Sequence, residues 1–235
     1  MVEITLVKLS DELPFNIGLL HFVSFERRVR ILKYKNEIDK KRSLIAELLI
    51  RKAAYEELDI PIEKVKISYN PYGKPFIDNV RYFKFNITHS GNYVAIAVSR
   101  YGVGIDIEKI ENIDMGVAKR FFMKSEYQYI KSLSSETEKI NAFYMLWTLK
   151  ESYIKAIGKG LKIPLNSFGF NIDKDIHLVG QQIKKKYCFS STKLHGYSFS
   201  VCSKELELRC KYIYVGERDI YNYYKNLLQP KKHIR

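Results

Sequence analysis

The run Gly102-Val-Gly-Ile-Asp-Ile-Glu108 sets two carboxylates, Asp106 and Glu108, two residues apart. Side chains alternate along an extended strand, so both acids project from one face while Ile105 and Ile107 project from the other into a core. Two carboxylates on one face repel each other unless a cation sits between them. Oxygen-only donors favour Mg2+, which takes one or two carboxylates and completes its octahedron with waters and substrate phosphates. Alone, the pair also fits strand-end acids balanced by a lysine such as Lys109.

A second pattern lies in Phe143-Tyr-Met-Leu-Trp-Thr-Leu-Lys-Glu-Ser-Tyr-Ile-Lys-Ala-Ile-Gly-Lys-Gly160. On a helix, Thr148, Glu151, Ser152 and Lys155 recur at i, i+3, i+4 and i+7 as one polar stripe. Phe143, Leu146, Trp147, Ile154 and Ile157 supply the apolar side, which aims Glu151 away from the core. Glu151 and Lys155 also have the spacing of an ordinary helix-stabilising ion pair. The third group is basic and polar: Arg27, Arg30, Arg42, Gly73-Lys74-Pro75 and Thr88-His89-Ser90-Gly91. Guanidinium and ammonium groups bind phosphate through charge-assisted hydrogen bonds. Taken singly, each of these residues also fits a solvated surface position.

The elements that must carry these residues follow from periodicity and turn chemistry. Strands are expected at 3–7, 65–68, 85–88 and 93–99, and helices at 22–35 and 39–58, with a turn at Asn70-Pro-Tyr-Gly73. In the second half a strand at 103–108 leads to a helical stretch over 114–132 and a long helix over 136–157, which stops before Gly158 and Gly160. Further strands are expected at 168–172, 187–190, 197–203 and 211–215. Residues 90–99 and 194–203 echo each other in a glycine, a tyrosine, an alternating run and a closing serine. Together these imply an α+β fold built as a duplicated unit. Such a pair meets along a cleft, a usual place for a ligand.

The 235 residues carry 40 Lys+Arg against 26 Asp+Glu, a net charge of +14 that calls for an acidic partner or reflects a compositional bias. Hydrophobic residues make up 46% of the chain, enough to bury a core and to exclude a disordered basic tail. No stretch approaches the roughly 20 apolar residues of a membrane span, and the N-terminus lacks the basic, apolar and small-residue pattern of a signal peptide. Cys188, Cys202 and Cys210 have no CxxC spacing. The expected setting is a reduced cytoplasm, with no membrane association.

In this order the motifs resemble the 4'-phosphopantetheinyl transferases, most closely the large, surfactin-synthetase-activating type. The resemblance rests on Asn70-Pro-Tyr-Gly-Lys-Pro75, Phe85-Asn-Ile-Thr-His-Ser-Gly91, Val103-Gly-Ile-Asp-Ile-Glu108, Arg120-Phe-Phe, and Trp147-Thr-Leu-Lys-Glu-Ser-Tyr-Ile-Lys155 followed by Gly158-Lys-Gly-Leu161. It implies a monomeric pseudo-dimer of two similar α/β subdomains, 1–101 and 102–225, with a basic tail at 226–235 and coenzyme A in the cleft between the halves. The implied reaction moves the phosphopantetheine arm of coenzyme A to a serine of an apo acyl, peptidyl or aryl carrier protein and releases adenosine 3',5'-bisphosphate. It would serve fatty-acid, polyketide or nonribosomal-peptide synthesis.

By the same resemblance Asp106, Glu108 and Glu151 hold Mg2+, and Glu151 takes the serine proton. Lys155 neutralises the leaving oxygen, and Lys150 and Lys74 reach the pyrophosphate. Arg27, Arg30, Arg42, Pro75, Thr88 and His89 complete the coenzyme A site; arginine replaces the lysine of the best-known relatives at the first two positions, and threonine replaces a frequent serine at Thr88. A largely acidic carrier would dock on residues 111–124 and near Lys159, Lys162 and Lys184 to Lys186. The rival classes are a Mg2+-dependent nuclease or phosphohydrolase and a nucleic-acid-binding module. The first leaves Gly73-Lys-Pro75 and Thr88-His-Ser90 without a role. The second lacks any helix-turn-helix, zinc or RNP signature, and no nucleic-acid partner is expected.

Overall fold

The computed structural model describes residues 1–180, 186–205 and 207–227. It is a mixed α+β structure with two main sheets that share an apolar core. In the first sheet β1 (Val2–Lys8) runs between β5 (Tyr93–Ser99), antiparallel to it, and β11 (Cys210–Gly216), parallel to it; β4 (Lys84–Ser90) closes the order β11-β1-β5-β4. The second sheet is antiparallel, with β6 (Val103–Lys109), β10 (Tyr197–Ser203) and β9 (Cys188–Leu194) in that order. Two hairpins stand apart: β2 (Ile67–Tyr69) with β3 (Pro75–Ile77), and β7 (Phe168–Ile172) with β8 (Ile176–Gly180).

Each sheet carries one 22-residue helix. On the first, α2 (Glu37–Leu58) buries Leu44, Ile45, Leu48 and Leu49 against Phe85, Val94 and Ile96. On the second, α5 (Glu136–Ile157) lies over β6 and β10. Gly104 permits that approach, because a Cβ there would stand 2.0 Å from the Ser152 carbonyl oxygen and 2.4 Å from the Ala156 nitrogen. Ile105 and Ile107 then meet Val2, Ile4, Ala95 and Ala97 in a third core between the sheets. Their burial turns Asp106 the opposite way, toward α5, as strand alternation requires.

Several boundaries differ from the sequence reading. The helix expected over 22–35 is a 3-10 turn, Ile17–Phe22, then α1 (Phe25–Leu32), because the Ser24 hydroxyl caps the Arg27 N–H. The stretch 114–132 breaks into α3 (Gly116–Phe121) and α4 (Lys124–Ser132). Phe122 turns extended between them and stacks on Phe143 at 5.2 Å. The strand expected at 65–68 is displaced to β2 by a 3-10 turn, Ile62–Lys64. β3, β8 and the final helix α6 (Glu217–Leu227) were not anticipated.

The echo between 90–99 and 194–203 falls on β5 and β10, each entered through a left-handed glycine, Gly91 or Gly196. The Tyr93 and Tyr197 rings meet edge-on, 4.8 Å apart. The segment expected to be the second half, 102–225, is itself divided by the packing. β11 joins the first sheet through β1, and α6 places Ile220 and Tyr224 in the first core. The buried Lys41–Glu217 ion pair at 3.0 Å holds it there. Asn226 and Leu227 end α6, so most of the proposed 226–235 tail lies outside the described residues, as do Lys184 and Lys185.

Candidate active site

β4 and β6 are neighbouring edges that belong to different sheets, and side chains join them. Asn86 Oδ1 accepts from Ile105 N at 2.8 Å, Thr88 Oγ1 from Ile107 N at 3.2 Å, and Ser90 Oγ from Lys109 N at 3.1 Å. The alternating Asn-x-Thr-x-Ser of β4 thus satisfies the edge amides that a backbone partner would otherwise take. The same hydroxyls face the acids of β6. Thr88 donates to Asp106 Oδ1 at 3.1 Å and Ser90 donates to Glu108 Oε2 at 2.9 Å.

Asp106 is buried, and its Oδ1 also accepts from Lys155 Nζ at 2.6 Å. Its Oδ2 is buried without a hydrogen-bond partner. Burial raises the Asp106 pKa, with Lys155 opposing the shift. Burial, then repulsion by Asp106, pushes Glu108 up to about 7; it likewise raises Glu151, whose carboxylate makes no hydrogen bond among the described residues. Desolvation acts on all three carboxylates, and repulsion by Asp106 adds to it at Glu108 and Glu151. Among the described residues, no group of three or more His, Cys, Asp or Glu side chains is arranged to hold a metal ion. The donor set fits a hard divalent ion that keeps part of its water or substrate oxygen shell.

Above the acids lies a cavity of about 420 Å3, lined by Arg27, Arg30, Arg42, Lys74, Pro75 and His89 from the first half and by Glu151 and Lys155 from α5. Eight expected site residues therefore share one space. Thr88 and Asp106 are tied to it through Lys155, which donates to both, and Glu108 lines an adjoining hollow with Arg42 and Ser90. Arg27 is held by Glu47 at 2.8 Å and donates to Tyr69 Oη at 2.8 Å. Arg42 is held by Asp39 at 2.9 Å and by the Gly91 carbonyl. Arg30 makes no ion pair among the described residues. His89 keeps solvent contact, yet desolvation in the cleft, then the Arg42 and Lys155 charges, lower its pKa and favour the neutral ring.

Two lysines stand elsewhere than expected. Lys150 is fully buried, paired with Glu126 at 2.8 Å, and donates to the Leu165 and Phe168 carbonyls. It ties α5 to α4 and β7 and does not reach the cleft. Lys74 lines the cavity, but its ammonium donates to the carbonyls of Val103, Lys155 and Ala156 at 2.9, 2.6 and 3.1 Å. It serves as a C-terminal cap for α5 and ties the turn after β2 to that helix. Asn70 adds a bond to the Gly158 carbonyl at 2.8 Å. The polar stripe of α5 is likewise not solvent-facing: Thr148 and Ser152 are buried, and Thr148 meets Ser200 at 2.7 Å.

Sequence reasoning quoted Asn86, Ser90 and Tyr72 inside motifs without seeing the seam that the first two make or the cavity wall that the third lines, and it missed Tyr69. Among the described residues, no helix is long and apolar enough to cross a membrane.

A basic wall facing buried acids defines a phosphate-handling site, and comparison with known proteins names the class. Residues 15–101 match the family model for the 4'-phosphopantetheinyl transferase N-terminal region, and 102–202 match that of the 4'-phosphopantetheinyl transferase superfamily. The 4'-phosphopantetheinyl transferase gsp of Aneurinibacillus migulanus is 41% identical over 208 residues, covering 86% of each chain. The corresponding enzyme ffp of Bacillus subtilis is 36% identical, over 79% of this chain and 84% of its own. Sfp of Bacillus subtilis strain 168 is 36% identical, over 68% and 71%. The chain belongs to the 4'-phosphopantetheinyl transferases. Its activity is the transfer of phosphopantetheine from coenzyme A to carrier proteins.

Proposed function

We propose that coenzyme A lies in the cavity between the basic wall and α5, and that Asp106, Glu108 and Glu151 hold a Mg2+ ion beneath it. The observation that carries this reading is that Asp106 Oδ2 has no partner among the described residues while Oδ1 bonds Lys155, which lines the cavity together with three arginines. A bound Mg2+ would supply charge neutralisation at the pyrophosphate. The protein's own groups do the rest by positioning and by placing charge.

Arg30, without an ion pair among the described residues, and Arg27, pre-oriented by Glu47, bind the nucleotide phosphates. Neutral His89 donates an N–H. Lys155 holds its ammonium at the cavity floor, where negative charge grows on the leaving phosphate. Glu151 accepts the carrier serine proton, directly or through water. Lys74 keeps the cleft wall in place by capping α5, and Lys150 supports α5 from behind.

The two helix-on-sheet halves, with their echoed central strands, support a pseudo-dimer that acts as a monomer in the cytoplasm. Exposed Lys119, Arg120 and Lys124, together with Lys159, Lys162 and Lys186, offer an acidic carrier a complementary surface. The carriers are those of fatty-acid, polyketide or nonribosomal-peptide synthesis. Incubation with an apo carrier, coenzyme A and Mg2+, followed by intact mass measurement, tests the reading. The expected result is a mass gain of one phosphopantetheine arm that EDTA abolishes. No gain on any of several carriers contradicts transfer, and full gain in EDTA contradicts the metal.

A further inference from the structure

The seam between β4 and β6 carries two kinds of contact that separate cleanly by residue. Asn86, Thr88 and Ser90 each accept one β6 amide, at Ile105, Ile107 and Lys109. Only Thr88 and Ser90 also donate to a carboxylate. Asp106 is further fixed by Lys155. Glu108 is half-buried, and Ser90 is its one hydrogen-bonding partner among the described residues. The Ser90 hydroxyl has one proton to give. Because Lys109 N fills an acceptor lone pair, that proton is directed at Glu108 Oε2, leaving Oε1 available.

We infer that Ser90 is a positioning residue for the cation site: its hydroxyl, oriented by the Lys109 amide, fixes the Glu108 carboxylate for metal binding across the seam between the two sheets. The inference rests on the assignment of Asp106, Glu108 and Glu151 as metal ligands. Its consequence is that the acid wall belongs to both halves of the chain. The carboxylates lie on β6, and the group that holds one of them in its binding rotamer lies on β4. Partners of ligating carboxylates are worth about 10- to 100-fold in metal affinity in other proteins.

The test uses the full-length protein with coenzyme A and no carrier, so that no turnover occurs, and titrates Mn2+ while free ion is followed by electron paramagnetic resonance. Ser90→Ala is expected to weaken Mn2+ binding about 10-fold. Ser90→Thr, which keeps the hydroxyl, is expected to bind as the wild type does. Asn86→Ala loosens the same seam without touching a carboxylate and should leave Mn2+ affinity within about 2-fold. Equal affinity in wild type and Ser90→Ala overturns the role of Ser90 and leaves the metal site standing. An equal loss in Asn86→Ala also overturns it, since seam integrity would then account for the effect. Absence of Mn2+ binding by the wild type overturns the underlying ligand assignment.

Discussion

The two walls of the cleft are built on opposite principles. On the basic wall the charges are largely answered: Arg27 by Glu47, and Arg42 by Asp39 and the Gly91 carbonyl, with Arg30 left open. On the acidic wall they are not. Asp106, Glu108 and Glu151 all have raised pKa values, and among the described residues Lys155 is the one cation paired with any of them. A wall of paired arginines is rigid before its ligand arrives and loses little on binding. On the proposed reading a cation completes the wall of desolvated acids, and the metal would then be part of its structure as well as its chemistry.

The sharpest break in this contrast is Glu151→Gln, which keeps shape and removes a charge. Transfer should fall on the order of 10³-fold, the scale of a lost general base, while coenzyme A affinity, set by the other wall, stays within about 3-fold. Steady-state kinetics with a binding titration checks both halves. Behind the acid wall, Lys150→Met leaves Glu126 buried without its cation and should destabilise the fold by about 3–5 kcal/mol. Chemical denaturation measures it, and the KM for coenzyme A should be unchanged at a temperature where the variant is folded. A rise in that KM would return Lys150 to the cleft.

On the basic wall, Arg30→Ala should raise the KM for coenzyme A about 10-fold, the loss of one charge-assisted contact. An equal effect on Arg30→Lys would show that geometry matters beyond charge. The smallest effect concerns pH. A carboxylate whose folded pKa is raised stabilises the fold below its unfolded value and loses that contribution as pH rises through the folded one. Glu108 therefore makes the metal-free protein lose stability between about pH 4.5 and 7. Added Mg2+ should restore more stability at pH 8 than at pH 5, read as the difference in melting temperature with and without EDTA. A constant difference would mean that these acids do not bind the ion.

Where sequence was a good guide, the reason was local. Strand alternation alone set Asp106 opposite Ile105, whereas the part of Gly104 in admitting α5 shows only in the fold. Helical spacing put Glu151 and Lys155 on one stripe, but it could not show that β10 supplies Ser198 and Ser200 to bury Thr148 within that stripe. Lys150 was misplaced because its partner, Glu126, sits on a different helix. Lys74 lines the cavity, but its ammonium is taken by carbonyls of β6 and α5, far along the chain. The Asn86-Thr88-Ser90 seam was invisible for the same reason: its meaning depends on a second strand edge. α6 escaped notice because its tyrosines favour strands by propensity, and only packing on Leu48 makes Tyr224 helical core.

The most direct test of an incomplete acid wall is the Mn2+ affinity of Asp106→Asn, measured with coenzyme A bound and no carrier present. Asparagine keeps the volume and can still bond Lys155 and Thr88 through its carbonyl, but it removes the charge from the buried, unpartnered position. The account predicts a loss of at least about 10-fold in Mn2+ affinity with a fold as stable as the metal-free wild type. Wild-type Mn2+ affinity in that variant would contradict it.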